Sequence, residues 1–123
     1  MAEDEPALRR ILASTLTEHG YEVIVAPDGE EAVRAFAAWP GTVAMVILDV
    51  VMPRQGGVQT FKQMRALQPG LKVLFTTGYA PDRAQVRELV GLGDPAVLSK
   101  PFSPRELARR VREALDTAIL LHP

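Results

Sequence analysis

Residues 43–48, Val-Ala-Met-Val-Ile-Leu, form an unbroken apolar run, and one carboxylate, Asp49, follows it directly. The run is too short for a core helix, and a strand apolar on both faces has to be covered on both faces, as strands of parallel sheets are. A layered α/β architecture is therefore the first expectation. The same run makes Asp49 costly unless something pairs with it or binds it.

The remaining apolar segments alternate between helical and extended periods. Leu8, Ile11, Leu12 and Leu16 recur at helical spacing and stop at His19-Gly20. "YEVIVA" (21–26) reads as a strand, and Asp28 then opens a helix, with Glu31 as capping-box partner and Ala32, Phe36 and Trp39 on its buried face. Pro40-Gly41 closes it. Val58, Phe61, Met64 and Leu67 mark a third helix, ended by Pro69-Gly70. "KVLFT" (72–76) is a strand, 81–90 a weaker helix and "AVLS" (96–99) a last strand. Ser103-Pro104-Arg105-Glu106 starts the final helix, with Leu107, Val111, Leu115 and Ile119 on its buried side. Alternating strands and helices predict one domain over 1–123, a doubly wound parallel sheet with helices on both faces. In such sheets ligands bind at the carboxyl ends of the strands.

Composition removes several classes of function. With 14 basic against 15 acidic residues the net charge is −1, and the arginines are scattered, so no nucleic-acid surface is expected. The absence of cysteine rules out disulfides, thiolate catalysis and cysteine-bound metals. No apolar stretch reaches the ~18 residues of a membrane span. The start, Met-Ala-Glu-Asp-Glu-Pro, is acidic where a signal peptide would be basic, so a cytoplasmic location is expected.

The strand ends carry the chemistry. Asp49 follows one strand, Thr76 and Thr77 another, Ser99 and Lys100 a third, and Glu3-Asp4 precedes the first helix. Taken singly, Asp49 reads as a cap or turn acid, Glu3-Asp4 as helix-dipole charges, Thr77 before Gly78 as a turn residue and Lys100 as a solvated side chain. Taken together, clustered carboxylates call for a cation, and hard oxygen ligands suit Mg²⁺. A hydroxyl and an ammonium opposite it suit a phosphoryl group, with Asp49 as nucleophile. His19 reads as a helix-end charge and His122 as part of the tail; Arg9-Arg10 and Arg109-Arg110 read as solvated faces.

"EDEPALRRIL", "LDVVMP" followed by Gly57, "VLFTTGYA" and "LSKPF" resemble the receiver domain of two-component response regulators, most of all receivers of hybrid histidine kinases. The resemblance covers almost the whole chain. It implies a flavodoxin-like three-layer sandwich of strand order 2-1-3-4-5 that accepts phosphate on Asp49 from the phosphohistidine of a histidine kinase. It further implies that Glu3, Asp4, Asp49 and the Val51 backbone carbonyl bind Mg²⁺, that Thr77 and Lys100 meet the phosphoryl group, and that a cis peptide joins Lys100 to Pro101. The expected result is a phosphoacceptor that promotes its own phosphorylation and dephosphorylation, not a turnover enzyme. Its face over 81–115 would change for a downstream protein or phosphotransfer domain, with a phosphorylation-dependent homodimer left open.

Three departures from the family pattern qualify this. Only Met1-Ala2 stand where the family has its central first strand, a gap expected to impair folding. Val97 occupies a position that is often aromatic, which removes an aromatic switch. Val51 and Tyr79 flank the phosphate's approach and are expected to slow hydrolysis. Two other readings stand beside the leading one. An aspartyl-phosphate phosphatase of the haloacid dehalogenase type would need an acid at Val51. A degenerate receiver would act as a scaffold with no phosphorylation.

Overall fold

The computed structural model describes residues 1–78, 83–93 and 95–120. Its elements are α1 (Pro6–Glu18), α2 (Gly29–Ala37), β1 (Met45–Asp49), α3 (Gly57–Leu67), β2 (Lys72–Thr77), α4 (Arg83–Gly91), β3 (Ala96–Ser99) and α5 (Pro104–Leu120). The three strands pair in parallel in the order β1-β2-β3, with Asp49 opposite Thr76 and Thr77 opposite Ser99.

Strand alternation divides the core into two layers. Val46, Leu48 and Phe75 join Phe36, Phe61 and Met64 on the α2–α3 side. Ile47, Leu74 and Leu98 join Leu12, Leu16, Leu107 and Val111 on the α1–α5 side. Leu74, Phe75 and Leu107 are wholly buried, and each such side chain contributes about 1.5–3 kcal/mol. The expected caps form. The Asp28 carboxylate accepts the Glu31 N–H at 2.9 Å, and Ser103 Oγ accepts the Glu106 N–H at 3.1 Å.

The expectation of a strand over 21–26 is corrected. Only Ala26 makes a bridge, to Ala2, which also bridges Leu48, both in parallel sense. Met1–Glu3 therefore lies between the 21–26 segment and β1, a stump of the expected central strand, and the lateral order matches the predicted 2-1-3-4-5. Residues 21–25 make no ladder, and an open space lies between them and β1. That space is an apolar trough of about 490 Å³, lined by Leu16, Phe36, Val46, Met64 and Val111 among others.

One core assignment, Trp39, also fails, and two residues of the helical patterns face outward. Ile11, Trp39 and Leu67 are 53%, 55% and 60% exposed. Leu8, Leu12 and Leu16, spaced by four, carry the buried stripe of α1, and Ile11 stands about 100° away from Leu12. Trp39 lies past the last residue of α2 at the rim of the trough, and Leu67 ends α3 at the surface. The side chain of Ile119, together with Tyr79 and His122, lies outside the described residues.

Candidate functional site

The chain end, β1, β2 and the residue after β3 meet at one corner. Asp49 is set by its N–H bond to Ala2 O at 3.2 Å, and Val50 N–H donates to Thr76 O at 2.9 Å. Lys100 N–H donates to Thr77 O at 2.7 Å, tethering the lysine loop to the end of β2. Gly57 N–H donates to Val50 O at 3.0 Å, and a Cβ on Gly57 would collide with the Asp49 carbonyl, so only glycine lets α3 start this close to the acid. The Lys100–Pro101 peptide is cis, as the resemblance implies.

Lys100 Nζ donates to Glu3 Oε1 at 2.6 Å and to Asp49 Oδ2 at 2.7 Å. The other Asp49 oxygen accepts the Val51 N–H at 3.2 Å, and Glu3 Oε2 accepts the Glu5 N–H at 3.1 Å. Glu3, Asp4 and Asp49 each bring a carboxylate oxygen to within 4.8 Å of the others. Glu3 and Asp49 are buried, at 2% and 5% exposure, whereas Asp4 and Val51 face solvent. Thr77 is buried beside them and Gly78 leaves the Lys100 stem room, with Lys100 Cδ 4.0 Å from where its Cβ would be.

Burial holds the Glu3 carboxyl above its usual pKa, against the opposing pull of Lys100, and the charge on Asp49 adds to the rise. Burial works against the charged form of Lys100, but its bonds to Asp49 and Glu3 outweigh that and raise its pKa. One ammonium faces three carboxyl groups, so acids outnumber the cation at this corner. The donor set is entirely hard oxygen, and that surplus fits a divalent cation such as Mg²⁺.

The structure brings Glu3, Asp4, Asp49 and Lys100 together at this corner, with Thr77 joined to it through its carbonyl, and one expectation is corrected. Asp49 is not open to solvent at a strand tip, because Lys100 lies across one oxygen and the 49–51 turn holds the other. Arg9, read as a solvated residue, donates from Nη1 to the Glu3 carbonyl at 2.9 Å and braces the acidic turn. Arg110 likewise reaches the Val97 carbonyl at 3.2 Å, and Val97 packs against the α2–α3 core. Arg54, in the loop after the acid, has φ +67° and lies 3.6 Å from Asp28. No local signal marked Arg9 or Arg54, since their partners are backbone or distant in sequence.

A parallel α/β sheet carrying an acidic cluster and a lysine at its strand tips is the arrangement of a signalling receiver domain. The chain belongs to the response regulator receiver domain family, which it matches over residues 1–112. It is 37% identical over 116 residues to the sensor kinase CckA of Brucella abortus, covering 94% of this chain but 12% of that protein. It is 32% identical to the response regulator receiver protein CpdR of the same organism, covering 96% of both chains. Other curated relatives it matches are about twice its length. Among solved structures, the receiver domain of the hybrid histidine kinase CckA is 34% identical with a TM-score of 0.78, over 93% of this chain and 94% of that one. A CheY-like receiver from Methanospirillum hungatei is 25% identical with a TM-score of 0.84, over 97% and 93%. Membership makes this a receiver domain of the two-component signalling family.

Proposed function

We propose that Asp49 accepts a phosphoryl group from the phosphohistidine of a histidine kinase. The observation carrying this reading is the Lys100 ammonium held between Glu3 and Asp49 at 2.6 and 2.7 Å within the acidic cluster. An Asp49 oxygen forms the new P–O bond as the N–P bond of the donor breaks, and its electron pair returns to the imidazole nitrogen. Glu3, Asp4, Asp49 and the Val51 carbonyl would hold Mg²⁺, which would supply positive charge against the carboxylates and the phosphoryl oxygens. Lys100 leaves Asp49 Oδ2 to meet a phosphoryl oxygen, and Thr77 donates its hydroxyl to another. Because Lys100 N–H is bonded to Thr77 O, the two loops move together.

The output is a change of the face over 81–115, read by a downstream protein or phosphotransfer domain or by a second copy. Val51, 59% exposed beside the acid, limits the approach of water and lengthens the life of the acyl phosphate. The domain works as a signalling module in the cytoplasm with no direct contact to nucleic acid. Among the described residues no helix is long and apolar enough to cross a membrane.

Incubation with acetyl phosphate or a phosphohistidine donor plus Mg²⁺ is expected to give one hydroxylamine-labile adduct, absent from Asp49→Asn and hydrolysed faster in Val51→Asn. The near-burial of Asp49 favours a second reading, a scaffold that is never phosphorylated. That reading requires no adduct with either donor.

A further inference from the structure

Where α1 ends beside α5 there is a recess of about 350 Å³, lined by His19, Tyr21, Arg105, Ala108, Arg109 and Arg112. None of these residues belongs to the acidic corner. Among the described residues no carboxylate lines the recess. The α5 members stand at i, i+3, i+4 and i+7, so they share one face of that helix. Ala108, small and buried, leaves room between the three arginine stems.

Helix stability alone would not choose this arrangement. Arginines three and four residues apart repel one another. Arg105 lies in the first turn of α5, at the positive end of the helix dipole, where an acid is favoured. It is exposed and forms no ion pair among the described residues. Arg109 and Arg112 are each held by the acid one turn further on. Arg109 Nη1 donates to Glu113 at 2.8 Å, and Arg112 donates to Asp116 from Nε and Nη2 at 3.2 and 2.8 Å. These exposed pairs add little stability, and neither acid lines the recess. They fix where the two guanidinium groups sit and leave the space before them open.

The lining is rich in donors. Arg112 Nη1 donates to the Tyr21 hydroxyl oxygen at 3.4 Å, so the proton of that hydroxyl remains to be given to something else. His19 Nδ1 lies 2.8 Å from the Thr15 carbonyl, which can only accept, so Nδ1 carries the proton and Nε2 is the nitrogen left over.

We propose that this recess binds a compact polyphosphate anion, with the diphosphate group as the recognised unit. Arg105, Arg109 and Arg112 take its oxygens through their guanidinium forks, which match phosphate two bonds at a time, and Tyr21 adds its hydroxyl proton. The three forks arise within about 10 Å of one helix and converge on one dense charge, which a string of separate carboxylates does not supply. The volume stands at the lower end of the range for small-molecule sites, about 300–1,000 Å³. Free pyrophosphate and the diphosphate of a nucleotide share this chemistry.

The test uses the whole chain in EDTA without Mg²⁺, where the acidic corner repels anions. Calorimetric titration with inorganic pyrophosphate is expected to show one saturable site, with a rise in melting temperature of about 5 °C at ten times the dissociation constant. Amide shifts should centre on residues 19–21 and 105–112. ADP run in parallel separates the sources: tighter binding than pyrophosphate assigns the site to a nucleotide, weaker binding to the free anion. Arg105→Glu replaces a misplaced cation at the helix start, so it should not lower the melting temperature of the ligand-free chain, yet should weaken pyrophosphate about tenfold or more. Arg112→Lys, which keeps the charge and loses the fork, should weaken it about threefold. The proposal is overturned by the absence of saturable binding, by a response that sodium chloride reproduces at equal ionic strength, or by unchanged affinity in Arg105→Glu. A glutamate-rich peptide that binds as tightly as pyrophosphate overturns it too. None of these readouts involves phosphorylation of Asp49, so each inference can fail without the other.

Discussion

Two apolar segments of similar length and composition have different outcomes. The last four residues of "VAMVIL" enter β1, laddered and largely buried, while "YEVIVA" stays irregular with Ile24 and Val25 43% and 45% exposed. Propensity does not separate them; both are rich in Val and Ile. The difference is neighbours. β1 has β2 along one edge and the stump on the other, whereas 21–25 faces a trough where a chain would have to lie. Strand formation is a property of the pair rather than of the segment.

The sharpest way to break this comparison is by truncation on each side of the sheet. Leu74→Ala, in the laddered half, is expected to cost about 2–5 kcal/mol, and Val25→Ala less than about 0.5 kcal/mol, by urea denaturation. Equal losses would mean the two halves are equally built. Next in size is Lys100→Ala, which strips the buried carboxylates of their cation. An expected loss of about 1–3 kcal/mol, reduced from the fully buried case because Lys100 keeps some exposure, should be offset by added Mg²⁺. Calorimetry should show tighter Mg²⁺ binding than in the parent chain.

A pH dependence follows from the stump. Burial lowers the Met1 amino group from 8.0 to about 6. The folded state binds that proton less tightly than the unfolded chain, so its stability is depressed below about 6 and recovers as pH rises toward 8. The melting temperature should therefore climb between pH 6 and 8, and the climb should vanish on N-terminal acetylation. The smallest effect concerns Trp39: iodide should quench its fluorescence readily, and a protected tryptophan would mean the trough rim is covered.

Much of this was legible in the sequence. The unbroken run before Asp49 dictated a parallel sheet, and Asp28 and Ser103 announced their helices through side-chain caps. The corner was legible because its members sit at strand ends, where an α/β sheet gathers them whatever the loops do. What escaped was relational. The exposure of Trp39 depends on a trough no local pattern marks, the burial of Asp49 on where a lysine 51 positions away comes to rest, and the role of Arg9 on a carbonyl that any residue would have offered.

The Lys100 ammonium joins the front of the chain to its middle across separations of 97 and 51 residues. Contacts that span so much sequence close the largest loops and form only when nearly everything between them is in place. A partly folded or nicked copy would retain helices and even strands, yet lack a lysine poised over the acid. On the proposed reading, competence to take up phosphate would therefore demand a completely assembled chain.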